Sequence, residues 1–224
     1  MGPHATRARI VIRLPGVYRV HMPRSNRWTR IIYACWAPFY DLLVQAPFIT
    51  RARSGAIGEL ALQAGEHVCL VGVGTGADFP FLPEGLTVEA IDLSAPMLAK
   101  ARAKLPVPGC QVTLRQGSAE ALPFPDQSFD AAFLTLILSV TGDGATCMHE
   151  AVRVVRPGGR LLVFDKFLPP ATKPSILRRT LNLLTRVFGT DINRSFEPMI
   201  AGRPVRVVTN RPALLGGAYR TIVL

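Results

Sequence analysis

The chain has 224 residues, of which 49% are apolar and 18% are charged. This length and composition predict one folded domain with a substantial core, and they exclude a chain that is disordered throughout. Four cysteines (Cys35, Cys69, Cys110 and Cys147) lie far apart, with no C-x-x-C pair and no metal-ligand spacing. We therefore expect small buried side chains in a reducing compartment, with neither a disulfide framework nor a metal site.

The net charge of +11 is distributed unevenly. Residues 1–53 carry nine basic and one acidic side chain, residues 54–165 carry seven and twelve, and residues 166–224 carry ten and two. An acidic middle between two basic flanks indicates that both ends of the chain build one surface for an anionic partner. Nucleic acid, an anionic membrane face and an acidic small substrate all fit that surface, as does a basic surface that is merely solvated.

The pattern of apolar residues predicts an N-terminal arm over residues 1–23 and short helical pieces over residues 24–62, broken at Pro38 and Pro47. From Gly65 onward, apolar runs alternate with helical segments, which predicts a parallel sheet covered on both faces. The predicted strands are His67–Val71, Thr87–Ile91, Val112–Gln116, Ala131–Leu136 and Arg160–Asp165, and the predicted helices are Phe79–Leu82, Pro96–Lys104 and Thr146–Val155.

The C-terminal part has a different pattern. Residues 174–188 have apolar side chains on one face and arginines on the other, which predicts a basic amphipathic helix. Before it, "RPGG" at residues 156–159 is expected to end a helix and turn into the next strand. After it, Val205–Thr209 and Tyr219–Leu224 lack a helix-length linker, so we expect an antiparallel hairpin that closes the sheet.

A glycine-rich loop and an acid suggest a ligand. The stretch "VCLVGVGTGADFPFLPEGLTVEAIDLS" places glycines at 72, 74 and 76 after one apolar run and Asp92 at the end of the next. Glycine is needed where the backbone turns with positive φ or touches a ligand. The acid can accept two hydrogen bonds from a ribose diol. This arrangement is typical of sites for a nucleoside-containing cofactor.

The loop fits both the G-x-G-x-x-G/A dinucleotide pattern and an alternating G-x-G-x-G pattern. A dinucleotide-binding half normally opens its domain, whereas roughly sixty residues precede this loop. Dinucleotide folds continue with parallel strands, whereas this chain is predicted to end in an antiparallel pair. Both features favour S-adenosylmethionine (SAM).

The segment from Gly65 to Asp165 resembles the class I SAM-dependent methyltransferases. The resemblance rests on four segments in order: "GEHVCLVGVGTGADFPFLP", "VEAIDLSAPMLAKARAKL", "GSAEALPFPDQSFDAAFLTLILS" and "EAVRVVRPGGRLLVFD". Within that superfamily the chain is most similar to the quinone C-methyltransferases and the bacterial phosphatidylethanolamine N-methyltransferases, whose aromatic entry segment resembles "IYACWAPFYDLL". The resemblance implies an α/β, Rossmann-like, seven-stranded and mostly parallel sheet, with helices on both faces and an antiparallel C-terminal hairpin. Residues 63–224 would form the methyltransferase core, and residues 24–62 would cover the active site.

The resemblance also implies the cofactor contacts. The three loop glycines would line the aminocarboxypropyl end of SAM, Asp92 would hold the ribose, and the strand-four end would floor the pocket. The implied contacts are Gly72, Gly74, Gly76, Asp92, Leu93, Met97, Ser118, Ala119, Glu120, Thr135 and Leu136. Two positions depart from the family pattern, because Leu70 and Ser118 stand where acids are common.

Methyl transfer from a sulfonium is an in-line displacement, so positioning is the main task of the protein. None of the four histidines is placed to act as a base. The remaining catalytic candidates are Tyr33 and Tyr40 in the entry segment and Asp165 with Lys166 after strand five, each as a positioning residue. We therefore expect catalysis by proximity, without a histidine base.

The substrate is inferred from the two basic, apolar-rich regions that cover the carboxyl ends of the strands in this fold. They predict a cytoplasmic enzyme, peripheral at the inner face of a bacterial membrane, that methylates a phospholipid amine, a prenylated quinone or a fatty-acid carboxylate. A lid helix whose apolar face packs on the domain is the alternative. A nucleic-acid methyltransferase fits less well, because "LTLILS" stands where "[DN]-P-P-[YF]" would be expected. A cofactor-binding module without catalysis is the third hypothesis.

Overall fold

The structure is a computed structural model and describes residues 46–169, 172, 174–187 and 190–224. The predicted arm at residues 1–23 lies outside the described residues, and so does most of the predicted entry segment. The two catalytic candidates Tyr33 and Tyr40 fall in that part of the chain.

Within the described ranges, seven strands form one sheet in the order β3-β2-β1-β4-β5-β7-β6. The strands are β1 (His67–Val71), β2 (Thr87–Asp92), β3 (Gln111–Gln116), β4 (Phe129–Thr135), β5 (Val155–Lys166), β6 (Thr209–Leu214) and β7 (Tyr219–Val223). The first five strands pair in parallel, and β7 pairs antiparallel with both β5 and β6. This topology confirms the predicted fold class.

The described helices are α1 (Pro47–Gly58), α2 (Ala95–Arg102), α3 (Gly144–Val154), α4 (Ile176–Val187) and α5 (Glu197–Ile200), with 3₁₀ turns at Phe79–Phe81 and Leu215–Gly217. Side-chain caps fix where two of them begin. The Ser94 hydroxyl accepts from the Met97 amide at the start of α2, and the Asp143 carboxylate accepts from the amides of Ala145 and Thr146 at the start of α3. Such caps satisfy amides that have no partner within the helix.

The core consists of two layers, one on each face of the sheet. In β1, Val68 and Leu70 pack with α1 and α2, whereas Cys69 and Val71 pack with α3. Both faces of the central strands are therefore buried, as a parallel sheet requires. Among the described cysteines, Cys69 and Cys147 are buried and Cys110 is half-buried, and all three are free thiols. Burial raises the pKa of the Cys69 thiol to about 12, so this side chain behaves as a small apolar group.

Two predicted strands differ from the structure by more than two residues at a boundary. The "RPGG" segment lies within β5, because the pairing with β4 moves from Val155 directly to Arg160 and leaves residues 156–159 as a bulge. The first hairpin strand is Thr209–Leu214, whereas the prediction placed it at Val205–Thr209. It is an edge strand that contains Pro212, and an edge position tolerates proline and needs no continuous apolar run.

Helix α4 turns its apolar face away from the domain. Its large aliphatic side chains are exposed, with 83% of Ile176 and 79% of Leu177 accessible. Asn182, on the polar stripe, is instead buried at 8%. The amphipathic helix was predicted correctly, but the alternative in which its apolar face packs on the domain is wrong.

We expect Gly159→Ala to destabilise the domain, because an added Cβ would lie 2.7 Å from the Asp130 carbonyl oxygen and 2.4 Å from Val155 Cγ1. Overpacking of this kind costs about 1–3 kcal/mol. Gly55→Ala, inside α1 with nothing within 4 Å of the added atom, is the matched control and should stabilise by up to about 1 kcal/mol. Urea unfolding measures both changes. Equal effects of the two substitutions would contradict the packing described for the bulge.

Candidate active site

A cleft opens at the carboxyl ends of β1, β2 and β4. It is lined by Gly72, Gly74, Ile91, Asp92, Leu93, Ser94, Met97, Gly117, Ser118, Ala119, Glu120, Thr135, Leu136, Ile137, Val140 and Thr141. Ten of the eleven residues predicted from the sequence to contact a cofactor are in this lining. Gly76 is not, and its φ of +73° places it where an added Cβ would lie 2.5 Å from the Phe79 ring. Close packing against the first turn after the loop therefore explains that glycine.

Asp92 holds the glycine loop in place. Its Oδ2 accepts a hydrogen bond from the Gly74 amide at 2.7 Å, and its Oδ1 accepts one from the Ser94 amide at 2.8 Å. The loop also bonds to β2 directly, since the amides of Gly72 and Val73 both donate to the Ile91 carbonyl. Each carboxylate oxygen of Asp92 has a further lone pair with which to accept a hydrogen bond from a ligand.

The electrostatics of Asp92 suit a ligand with hydroxyl donors. Burial raises the pKa of this carboxyl, and the amides of Ser94 and Gly74 act in the opposite direction. A ribose diol would add two donors to the ionised form and would offset part of the cost of burying the charge. Ile91, Leu93 and Met97 supply apolar surface beside the acid, as a purine base requires. The described residues therefore fit the nucleoside part of SAM.

A loop after β4 forms the other wall of the cleft. Glu120 fixes this wall, because its Oε1 accepts from Thr141 Oγ1 at 2.5 Å and from the Asp143 amide at 2.9 Å. Ile137, Val140 and Thr141 belong to this wall and were not predicted from the sequence. The only available sequence signal was the apolar run that continues past β4, and it could not show which side chains turn toward the cleft.

The floor of the cleft is strained. Leu136 has a φ of +57°, a conformation that non-glycine residues rarely adopt, and its amide donates to the Phe164 carbonyl at 2.8 Å. An added Cβ at Gly72 would lie 2.7 Å from Ile137 Cδ1. The missing side chain at this position therefore lets the glycine loop approach the floor of the cleft. Strained backbone of this kind is concentrated at ligand sites.

Asp165, the third catalytic candidate, lies beneath the cleft wall and outside the lining. It is fully buried, and its carboxylate accepts from the amides of Ser139 at 2.9 Å and Lys166 at 2.7 Å. Burial raises the pKa of this carboxyl, while nearby Lys166 and the bonds from Ser139 lower it. The geometry indicates a residue that positions the post-β4 loop.

A buried ion pair supports the glycine loop from the side of α1. Arg53 Nε lies 3.1 Å from Asp78 Oδ1, and both side chains are almost fully buried. Burial raises the pKa of Asp78, whereas Arg53 and Thr135 lower it. The pair connects α1 with the segment that follows the glycine loop.

Comparison with known proteins places this site in a family. Residues 70–163 match the family described as a methyltransferase domain. A phosphatidylethanolamine N-methyltransferase from Cereibacter sphaeroides is 31% identical over 157 residues, which cover 69% of this chain and 77% of the relative. A demethylmenaquinone methyltransferase from Thermus thermophilus is 38% identical over 141 residues, which cover 60% of this chain and 63% of the relative.

A solved structure shows the same fold with the cofactor bound. Geranyl diphosphate methyltransferase in complex with SAM superposes with a TM-score of 0.62 at 16% identity, over 78% of this chain and 83% of the other. At that identity the likeness establishes the fold alone.

We expect Asp92→Asn to weaken SAM binding about tenfold to a hundredfold, because the amide loses charge-assisted acceptance and turns an NH₂ group toward a backbone donor. Isothermal titration calorimetry measures this change. Glu89→Gln, on the same strand but paired with Arg115 away from the cleft, should leave the affinity unchanged. Equal affinities of the Asp92 variant and the wild-type protein would contradict the assigned ribose contact.

SAM affinity should also fall as the pH drops through the raised pKa of Asp92, because only the ionised carboxylate accepts both hydroxyl bonds. The loss should begin above the ordinary aspartate range near about 3.9. The stability of the unliganded fold should change in the opposite direction. Burial penalises the ionised form of Asp92, so the contribution of this side chain to the free energy of unfolding falls as the pH rises through its raised folded-state pKa. Calorimetry across pH checks the affinity, and Asp92→Asn should show no such dependence. A wild-type affinity that stays flat across that pH range would contradict the assignment.

The cleft, the glycine loop held by Asp92 and the similarity to known proteins all indicate the same family. The family match at residues 70–163 includes the strands that build the cleft. The similarity to the phosphatidylethanolamine N-methyltransferase extends over 69% of this chain and 77% of that relative. The chain therefore belongs to the class I SAM-dependent methyltransferases, and its cofactor is SAM.

Proposed function

We propose that this enzyme methylates the amine head group of a phospholipid at the surface of an anionic membrane. The outward apolar face of α4, anchored beside the cleft, is the observation that carries this proposal. Among the described helices, none combines the length and the apolar content that crossing a bilayer needs. The membrane contact that we propose is a peripheral one, made by the exposed face of α4.

Polar contacts hold α4 in this orientation. Arg178 Nη2 donates to the carbonyls of Phe167 at 3.0 Å and Ile192 at 2.6 Å, and its Nε donates to Asn193 Oδ1. Asn182 Oδ1 accepts from the Ile192 amide at 2.7 Å. Because Arg178 and Asn182 are four residues apart, they lie on one stripe of the helix. The polar stripe faces the domain, and the apolar stripe faces outward.

The outward face has the chemistry of a membrane-binding helix. It exposes the aliphatic side chains of Ile176, Leu177, Leu181, Leu183 and Leu184. Burying one such side chain completely is worth about 1.5–3 kcal/mol, so the face has a strong tendency to leave water. Residues 166–224 also carry ten basic against two acidic side chains, which suits an anionic leaflet.

The same region of the chain holds the cleft wall. Arg194 donates to the carbonyls of Leu138 at 2.5 Å and Thr141 at 2.6 Å, and the Asp191 amide donates to the Ser139 carbonyl at 2.8 Å. Residues 191–194 therefore contact α4 on one side and the post-β4 loop on the other. A lipid that enters beside α4 would meet this wall of the cleft.

The choice of acceptor is supported by the relatives. The phosphatidylethanolamine N-methyltransferase is covered over 77% of its length, whereas the demethylmenaquinone methyltransferase is covered over 63%. A prenylated quinone remains the second candidate because the identity to that relative is higher, at 38%. Both acceptors are amphiphilic, as the surface of α4 requires. Nucleic acid fits this apolar face poorly.

The chemistry requires few catalytic groups. When bound, SAM would supply an electrophilic methyl group, with a carbon–nitrogen bond formed as the carbon–sulfur bond breaks and the sulfur keeping the electron pair. An ammonium has no free electron pair, so the amine would have to lose its proton to water before the attack. Among the described residues that line the cleft, none is a histidine. Asp92 and the glycine loop would hold the donor, and the strained floor at Leu136 would shape the place of attack.

We expect the protein to transfer a labelled methyl group from SAM to phosphatidylethanolamine in vesicles that also contain phosphatidylglycerol. Mass spectrometry of a total lipid extract identifies the acceptor without assuming it. Asp92→Asn, which is expected to bind SAM more weakly, serves as the control and should transfer less label at a limiting SAM concentration. A labelled quinone with unlabelled phospholipid would select the second candidate, and labelled RNA would contradict both.

We expect Leu177→Gln with Leu184→Gln to reduce vesicle binding at least about tenfold, because two exposed anchors of the helix become polar. Co-sedimentation with anionic vesicles measures the binding. Leu215→Gln, which changes an equally exposed leucine on the hairpin, is the matched control. SAM affinity should be unchanged in all variants. Membrane binding that survives the double substitution would contradict the assigned surface.

A further inference from the structure

A second group of ionisable side chains lies at the same edge of the sheet as the cleft. Lys166 ends β5 and Tyr219 begins β7, and the two residues pair in the antiparallel register. Lys166 Nζ lies 5.6 Å from the centroid of the Tyr219 ring, a distance at which the ring attracts a cation. Neither residue lines the cofactor cleft, and both are partly exposed, so a ligand can reach them.

The sheet order places this pair on the acceptor side of the cleft. Asp92 ends β2, and the next strands across the sheet are β1, then β4 with the floor of the cleft at its end, and then β5. Neighbouring strands lie about 4.8 Å apart. Two bonds join the floor to β5: the Leu136 amide donates to the Phe164 carbonyl, and the Ser139 amide donates to Asp165. Lys166 follows directly after these contacts.

The charge of Lys166 is only partly offset by the neighbouring carboxylate of Asp165. In the part of the chain that the structure describes, no ion pair joins it to a carboxylate. Asp165 is the nearest acid along the chain, but its carboxylate oxygens accept from the amides of Ser139 and Lys166. Burial lowers the pKa of Lys166, and Asp165 opposes that effect. A counter-anion would therefore stabilise this ammonium.

Tyr219 adds a second donor. Burial and the charge of Asp165 raise the pKa of its phenol, and Arg53 acts in the opposite direction. The hydroxyl is therefore protonated at neutral pH and can donate a hydrogen bond. Because Lys166 and Tyr219 are paired across β5 and β7, their ammonium and phenol could both donate to one oxyanion.

We propose that Lys166 and Tyr219 bind the phosphodiester of the phospholipid acceptor, so that its amine points back toward the floor at Leu136. This inference rests on the proposed function and names the group by which the acceptor is recognised. In an ethanolamine head group only two carbons separate the phosphodiester from the amine. An anion held at the end of β5 therefore places the amine near the end of β4.

Direct binding can be measured because the sequence has four lysines: Lys100, Lys104, Lys166 and Lys173. Reductive ¹³C-methylation gives each one an NMR signal, and Lys166→Arg assigns the signal of interest. With S-adenosylhomocysteine present, glycerophosphoethanolamine should shift the Lys166 signal, whereas ethanolamine without the phosphodiester should not. Inorganic phosphate, at the same concentration, tests the anion alone and should shift the signal more weakly. An unchanged Lys166 signal, or equal shifts of all four signals, would overturn the proposal.

Turnover gives an independent test with dihexanoyl phosphatidylethanolamine. Lys166→Met should raise KM about tenfold or more with little change in kcat, because a charge-assisted contact to the acceptor is lost. Lys166→Arg should recover most of the affinity, and Tyr219→Phe should raise KM a few-fold. Lys104→Met, at an exposed position after α2, is the matched control. SAM affinity, measured in each variant, reports whether the fold is intact.

The two tests separate this inference from the proposed function. A shift of the Lys166 signal on addition of the phosphodiester, without any lipid methylation, would support the anion site and contradict the proposed reaction. Lipid methylation with an unchanged KM in Lys166→Met would keep the reaction and overturn the anion site.

Discussion

The carboxylate of Asp92 is the contact on which the rest of the site depends. It accepts from the Gly74 amide in the loop after β1 and from the Ser94 amide that precedes α2, so one side chain fixes both segments. Glycine at position 74 adopts a φ of +56°, which brings its amide to the acid without the strain that a side chain would add. Burying this charge is unfavourable, and donors from a nucleoside would offset that cost. The same geometry therefore orders the unliganded cleft and recognises the cofactor.

A second constraint is the loop after β4, which is held from three sides. Asp165 accepts from the Ser139 amide beneath it, Glu120 accepts from Thr141 across the cleft, and Arg194 donates to two of its carbonyls from the segment after α4. Because Arg178 connects α4 to the same segment, the outward helix and the cleft wall belong to one hydrogen-bonded unit. This arrangement explains how a surface helix can lie next to the site of chemistry without lining it.

The sequence correctly predicted the elements whose burial produces a regular pattern of apolar residues. Strand β1 was predicted residue for residue, because a central parallel strand buried on both faces is a continuous apolar run. The edge strand β6 and the bulge at residues 156–159 depend on pairing partners, so local pattern misplaced them. Periodicity also identified α4 but could not show which face turns inward, since that depends on carbonyls of Phe167 and Ile192 that Arg178 satisfies. The cleft wall at Ile137 and Val140 was also missed. The positive φ of Leu136 redirects the chain at this point, and a periodic pattern of apolar residues cannot predict such a turn.

The most direct test of the account is a crystal structure with S-adenosylhomocysteine bound. We predict that both ribose hydroxyls lie within hydrogen-bond distance of the Asp92 carboxylate, with the bonds to the amides of Gly74 and Ser94 retained and the adenine against Leu93 and Met97. A nucleoside that binds elsewhere, or an Asp92 carboxylate turned away from the ribose, would contradict the central claim.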